Sequence, residues 1–145
     1  MLSKDFKEFV ELLNAHHVDY LVVGGYAMAL HGRPRQTGDL DVWIRRSPDN
    51  AQRLLAALTE FGFGALGLTQ EDFSTPDNVI QLGYPPFRID LLTNIDGVDF
   101  DIAWSRHETF VHDGLAMHFI SLQDLKANKR ASGRPRDIDD LEQLP

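Results

Sequence analysis

The sequence predicts a single α/β (α+β) domain, residues 1–145, in which a mixed, twisted β-sheet is flanked by helices and followed by a C-terminal hairpin and further helices. Three observations predict it. A chain of 145 residues is long enough to bury one sizeable core. Its apolar residues alternate along the chain between a helical period and a strand period of two. Near the N-terminus a strand, a glycine turn and a helix follow one another directly.

Phe6, Phe9, Val10, Leu12 and Leu13 recur at helical spacing behind Ser3, a natural N-cap, which predicts an amphipathic helix from about Ser3 to about His16. Asp19 to Val23 reads as a short buried strand that stops at Gly24-Gly25, and Tyr26 to Leu30 suits a short, mostly buried helix. His31 to Gly38 is a loop rich in Gly, Pro, Arg and Thr. Leu40, Val42 and Ile44 alternate with Asp39, Asp41 and Trp43, as a strand with two carboxylates on one face does. Ser47-Pro48 supplies a cap and a first-turn proline for a helix that carries Ala51, Leu54, Leu55, Leu58 and Phe61 up to Gly62. Gly64 to Asn78 is expected to be a long connection with at most one helical turn. Val79 to Leu82 and Phe87 to Leu92 follow as strands separated by Tyr84-Pro85-Pro86, and in the second Arg88, Asp90 and Leu92 alternate with Phe87, Ile89 and Leu91. A short helix over about Val98 to Trp104 precedes a hairpin, Thr109 to His112 and Leu115 to Ile120, turned by Asp113-Gly114. Ser121 caps a helix to about Ser132, Gly133 ends it, and Pro135 starts a last helix whose apolar positions are Ile138, Leu141 and Leu144.

Composition narrows the chemistry. Lys plus Arg number 14 against 22 Asp plus Glu, a net charge of −8, so a nucleic-acid partner would have to be engaged by a local basic patch. The absence of cysteine excludes thiolate catalysis, disulfides and Cys-based zinc sites. The apolar stretch from Tyr20 to Leu30 is too short and interrupted for a bilayer span, and Lys4, Asp5, Lys7 and Glu8 break any leader core. A cytoplasmic protein without a membrane partner is therefore expected.

Asp39 and Asp41, two apart on a strand, place their side chains on one face about 7 Å apart. Alone, such a pair is ordinary solvated surface. With Asp90 on an adjacent strand it becomes a hard-oxygen platform for divalent ions. The N–H groups after Gly24-Gly25, at a helix start, are the complementary cradle for nucleotide phosphates. A second feature is basic: Lys126, Lys129, Arg130, Arg134 and Arg136 fall within eleven residues of an acidic chain. Pairing with Asp124, Asp137, Asp139 and Asp140 would make them a solvated helix face, the reading favoured for Arg136. Arg33 and Arg35, just before the carboxylates, are further candidates for phosphate contact.

Val23-Gly24-Gly25, a spacer of thirteen residues, Asp39-Leu40-Asp41-Val42, and Asp90 within Arg88-Ile89-Asp90-Leu91-Leu92 resemble the signature of the polymerase-beta-like nucleotidyltransferase superfamily. Around residues 20–27, 37–41 and 129–137 the chain is further similar to a small bacterial branch related to abortive-infection and toxin-type nucleotidyltransferases. The resemblance implies the minimal nucleotidyltransferase fold, two magnesium ions on Asp39, Asp41 and Asp90 as catalytic and metal-binding residues, and a nucleoside triphosphate substrate. It places Gly24, Gly25 and Tyr26 at the nucleotide and likens Lys129 to a triphosphate contact, with Arg130 beside it and Lys126 one turn earlier. The reaction implied is transfer of a nucleoside monophosphate to a hydroxyl of a macromolecular acceptor, tRNA or protein, in a toxin–antitoxin or defence setting. The alternative is a catalytically silent nucleotide-binding or toxin-neutralising partner with the same fold. Small-molecule acceptors such as aminoglycosides are disfavoured, because such enzymes usually add a helical domain. Many relatives carry Arg or Lys where this chain has Gly38, so a basic contact there is either absent or supplied by Arg35.

Other patterns carry less. Gly62-x-Gly64-x-x-Gly67 follows a helix rather than a strand, the wrong context for a dinucleotide fingerprint. The six histidines show no metal-ligand spacing. Trp43 is expected to pack rather than to stack on a base.

Overall fold

The computed structural model describes residues 2–32 and 37–145, so Arg33 and Arg35 lie outside the described residues. Helix α1 (Lys4–Ala15) starts where expected because the Ser3 hydroxyl accepts the Phe6 N–H at 3.2 Å, and it buries Phe6, Phe9, Val10 and Leu13. Strand β1 (Tyr20–Val23) runs straight into α2 (Gly24–His31), which begins on the glycine pair itself rather than after it. Strand β2 (Leu40–Ile44) and helix α3 (Pro48–Leu58) follow, the latter capped by Ser47, whose hydroxyl accepts the Asn50 N–H at 3.1 Å. Asn50, fully buried, ties three segments together: its side chain accepts from the Asp19 N–H and donates to the Asp19 and Arg45 carbonyls at 2.7–3.0 Å.

The α-helical part of α3 ends at Leu58, short of the expected Gly62, because Gly62 adopts φ 107° and the chain continues as a π-turn over Thr59–Phe63. The Gly64 to Asn78 connection holds more structure than expected. A 3-10 turn (Gly64–Leu66) precedes α4 (Gln70–Ser74), whose Thr69 and Asp72 form a capping box and whose Phe73 is fully buried. Strands β3 (Val79–Leu82) and β4 (Ile89–Leu92), helix α5 (Phe100–Ser105) and the hairpin β5 (Glu108–His112) and β6 (Leu115–Phe119) come next. Asp113 and Gly114 turn that hairpin, both at positive φ. Helix α6 (Leu122–Ser132), capped by Ser121 and ended by Gly133, leads to α7 (Pro135–Glu142).

The six strands form one mixed sheet in the order β3-β4-β2-β1-β6-β5. β1 pairs antiparallel with β2 and parallel with β6, while β2 pairs parallel with β4. Helices flank it: α1 packs on α3 and β6, and α2 lies against β1 and β2. Trp43 belongs to the core, 2% exposed, with its ring 4.9 Å from that of Phe100. Among the described residues, no helix is long and apolar enough to cross a membrane.

Helix α7 keeps only part of its expected apolar face, with Leu144 just past its end in the core and Leu141 half-buried. Ile138 is 47% exposed, and the buried positions of the helix are Asp137 and Asp140. They face inward because Lys129, itself buried on α6, is there to receive them.

Candidate active site

Four charged residues share one face of the sheet where β2 and β4 run side by side. The parallel register sets Asp41 opposite Asp90. Asp39 and Arg88, each two residues earlier, fall on the same face because side chains alternate along a strand. Pairing already reaches this level, since the Leu40 N–H donates to the Arg88 carbonyl at 2.9 Å.

Arg88 sits among the carboxylates. Its Nε donates to Asp90 Oδ1 at 2.8 Å, and its Nη2 donates to Asp90 Oδ2 at 3.1 Å and to Asp39 Oδ2 at 3.0 Å. Those charge-assisted bonds raise the Arg88 pKa further and leave its cation permanent. Asp41 stands under opposite pressure. Burial pushes its carboxyl up, the charges of Asp90 and Asp39 push it further, and Arg88 offsets only part, so that it titrates at about 7.

The four residues line a cavity of about 620 Å³, a size ordinary for small-molecule sites. Its remaining walls are Gly24 and Gly25 at the start of α2, Thr37 and Gly38 ahead of β2, Pro85 and Pro86 before β4, and Lys129, Arg134, Arg136 and Asp137 from the α6–α7 region. The helix start therefore opens onto the carboxylates, as an anion cradle requires.

Gly24 is required by contact as well as by conformation. Its φ is +66°, and a Cβ there would stand 2.9 Å from Asp41 Cγ. Gly24→Ala is expected to lower stability by about 2–4 kcal/mol through left-handed strain plus displacement of the Asp41 carboxylate. Gly67→Ala, at φ +71° with open space around it, carries the same left-handed strain without the clash. Urea unfolding of both variants separates the two terms, and equal losses would refute the Gly24–Asp41 clash. Gly38 is also confined, with a Cβ there 3.0 Å from the Pro86 carbonyl oxygen. A long basic side chain at this position would therefore need its neighbour to give way.

The other expected nucleotide contacts divide. Lys129 lines the cavity, but its ammonium lies 2.9 Å from Asp140 and 3.4 Å from Asp137. Tyr26 does not reach the cavity; it packs edge-on against Phe6 and borders a separate hollow with Leu30, Phe110 and Met117. Lys126 donates to the Pro145 carbonyl instead, and Arg130 is exposed outside the cavity wall. Arg136, read from sequence as solvated surface, does border the cavity, and so does Arg134, which is bonded to Asp137 at 2.8 Å. Arg88 was given no role from sequence, although its alternation with Asp90 in the strand pattern carries the signal.

Three carboxylates of hard oxygen suit a magnesium-type ion in donor chemistry. The Asp41 pKa is raised first by burial and then by the neighbouring charges of Asp90 and Asp39, which Arg88 offsets only in part. Among the described residues, no three such side chains are drawn together into a finished metal cage. Arg88 spans the space between two of them.

Comparison with known proteins gives a consistent picture. The sequence profile of a family described as nucleotidyl transferase of unknown function (DUF2204) matches residues 2–145. No curated protein matches the chain. Among solved structures, a candidate nucleotidyltransferase from Thermotoga maritima superposes with a TM-score of 0.63 at 16% identity, covering 94% of this chain and 87% of its own. An antigenic nucleotidyltransferase-like protein from Paracoccidioides brasiliensis superposes with a TM-score of 0.55 at 19% identity, covering 98% of this chain and 76% of its own. At such identities the two structures show a shared fold.

Proposed function

The chain belongs to the nucleotidyl transferase family whose profile spans residues 2–145, and from that premise we propose that it is a magnesium-dependent enzyme. It moves a nucleoside monophosphate from a triphosphate to a hydroxyl of a macromolecular acceptor. The observation that carries this reading is the meeting of Asp39, Asp41 and Asp90 with the Gly24-Gly25 helix start around one cavity.

In the proposed reaction the acceptor oxygen bonds to the α-phosphorus, the bridging bond to the β-phosphate breaks, and pyrophosphate leaves. Asp90, on the strand next to Asp41, accepts the hydroxyl proton. The N–H groups at the start of α2 hold phosphate oxygens. Arg134 and Arg136, which border the cavity, add positive charge for the outer phosphates. Asp39, Asp41 and Asp90 would hold magnesium, which when bound would supply charge neutralisation of the polyphosphate. A domain of this size is sufficient, because phosphoryl-type transfer depends mainly on positioning and electrostatics. The leading acceptor classes are tRNA and a partner protein, with a toxin–antitoxin or defence role as the setting.

Labelling tests it. Protein is incubated with magnesium and each of four α-labelled triphosphates, with total tRNA and with cell extract, beside an Asp39→Asn, Asp41→Asn double variant. Label entering RNA or a protein band, and absent in the double variant and in chelator, is the expected result. Label that persists in the double variant would overturn the assignment. No transfer by a wild-type protein that still binds nucleotide would support the silent-partner alternative instead.

A further inference from the structure

We infer that Arg88 is an exchangeable counter-ion of the carboxylate site, a guanidinium that a divalent cation displaces and that then binds phosphate, so that metal and nucleotide bind as a coupled pair. This rests on the nucleotidyltransferase reading above and assigns a positioning residue within it.

Arg88 already takes both oxygens of Asp90 and Oδ2 of Asp39, three of the six that Asp39, Asp41 and Asp90 offer. A magnesium-type ion demands bare oxygen ligands at about 2.0–2.1 Å in strict geometry, so ion and guanidinium compete for the same lone pairs. With all three carboxylates ionised their charge is −3, so one divalent ion in place of the guanidinium leaves −1, and a second ion requires the negative charge of a polyphosphate.

The displaced group has somewhere to go. The Arg88 side chain is 26% exposed and borders the cavity that Gly24 and Gly25 line. Its backbone is fixed by the Leu40 N–H, so only side-chain torsions need change. A planar fork of donors matches phosphate oxygens as well as it matches carboxylates. A merely structural role, stapling β2 to β4, is poorly motivated, because four residue pairs already join those strands.

The test uses the full chain as wild type, Arg88→Gln and Arg88→Lys. Binding of Mn²⁺ alone is titrated by the loss of free-ion paramagnetic resonance, and thermal unfolding is followed with Mn²⁺ and with preformed Mn²⁺–tripolyphosphate. Arg88→Gln is expected to bind Mn²⁺ alone about tenfold more tightly, the competitor being gone. Its additional stabilisation by tripolyphosphate over Mn²⁺ alone is expected to shrink. Arg88→Lys, which keeps the charge without the fork, should lie between and serves if Arg88→Gln folds poorly. Mn²⁺ affinity that is unchanged or weaker in both variants, or an undiminished tripolyphosphate effect, overturns the inference while leaving the transfer assay to judge the enzyme reading. A wild type that binds no Mn²⁺ under either condition removes both.

Discussion

Asp41→Asn is expected to abolish transfer and, in chelator at pH 8, to raise the stability of the folded protein. The second half follows from linkage. Asp41 titrates at about 7 in the fold against about 3.9 unfolded, so the folded state holds its proton where the unfolded state has released it. Stability contributed by that proton is complete below about pH 4 and is lost as pH rises through 7. Above pH 7 the wild type carries an ionised, half-buried carboxylate beside Asp90 and Asp39. The amide carries none. After discounting for solvent screening and relaxation, the gain is about 1–3 kcal/mol, or a midpoint rise of roughly 3–8 °C. It should fade toward pH 4 and also in saturating Mg²⁺, which relieves the wild type equally. The activity loss is expected to exceed about 10³-fold, since charge stabilisation is the main contribution to such catalysis. Thermal scans of both proteins at pH 5 and 8, with chelator and with Mg²⁺, check the stability half. A variant less stable than wild type at pH 8 in chelator would refute the crowded-charge account.

Lys129→Met is expected to cost about 3–5 kcal/mol, the loss typical of removing one partner from a buried ion pair. The Asp137 side chain is 1% exposed and that of Asp140 is 4%, against 10% for Lys129. Burial alone would raise the Asp137 pKa, but hydrogen bonds from Arg134 and Ser132 and the Lys129 charge outweigh it and hold the carboxyl well below the usual range. A depressed carboxylate stabilises above its unfolded pKa and loses that contribution as pH falls through the folded one. The penalty of Lys129→Met should therefore be present at neutral pH and shrink below about pH 4. Adding Asp140→Asn should return part of it, because the two changes are coupled through one contact. Urea midpoints for the cycle at pH 7 measure this. A loss under about 1 kcal/mol would refute the buried ion pair as a main support of the α6–α7 packing.

Those two aspartates also mark where reading the sequence fell short. From the sequence Asp137 and Asp140 read as partners that make the basic cluster a solvated face, and nothing local says that Lys129, eight and eleven residues earlier, is buried together with them. Packing of α6 on α7 decides it, and with it the change of Lys129 from candidate phosphate contact to ion-paired core residue that borders the cavity. The α4 capping box was similarly hidden in a stretch whose Gly, Thr and Pro content reads as loop. Caps and turns fared better. Ser3, Ser47, Ser121 and Asp113-Gly114 all sit where expected, because a cap or a tight turn is a decision taken within four residues.

By itself the sequence determined the faces of single elements: Asp39 beside Asp41, Arg88 beside Asp90, and the glycine pair at the end of a strand. The periodicity of a strand is a property of its own backbone, so such facts need no partner. Only the tertiary structure decided which faces meet. The parallel pairing of β2 with β4 brings Arg88 to Asp39 across 49 residues of chain and makes a counter-ion of a residue that looked like one polar position among others. The packing of α2, α6 and α7 leaves Tyr26, Lys126 and Arg130 outside the cavity and admits Arg136. Long-range contacts of this kind arise from burying whole elements against one another, and the charge that a side chain meets there is not encoded in its own neighbourhood.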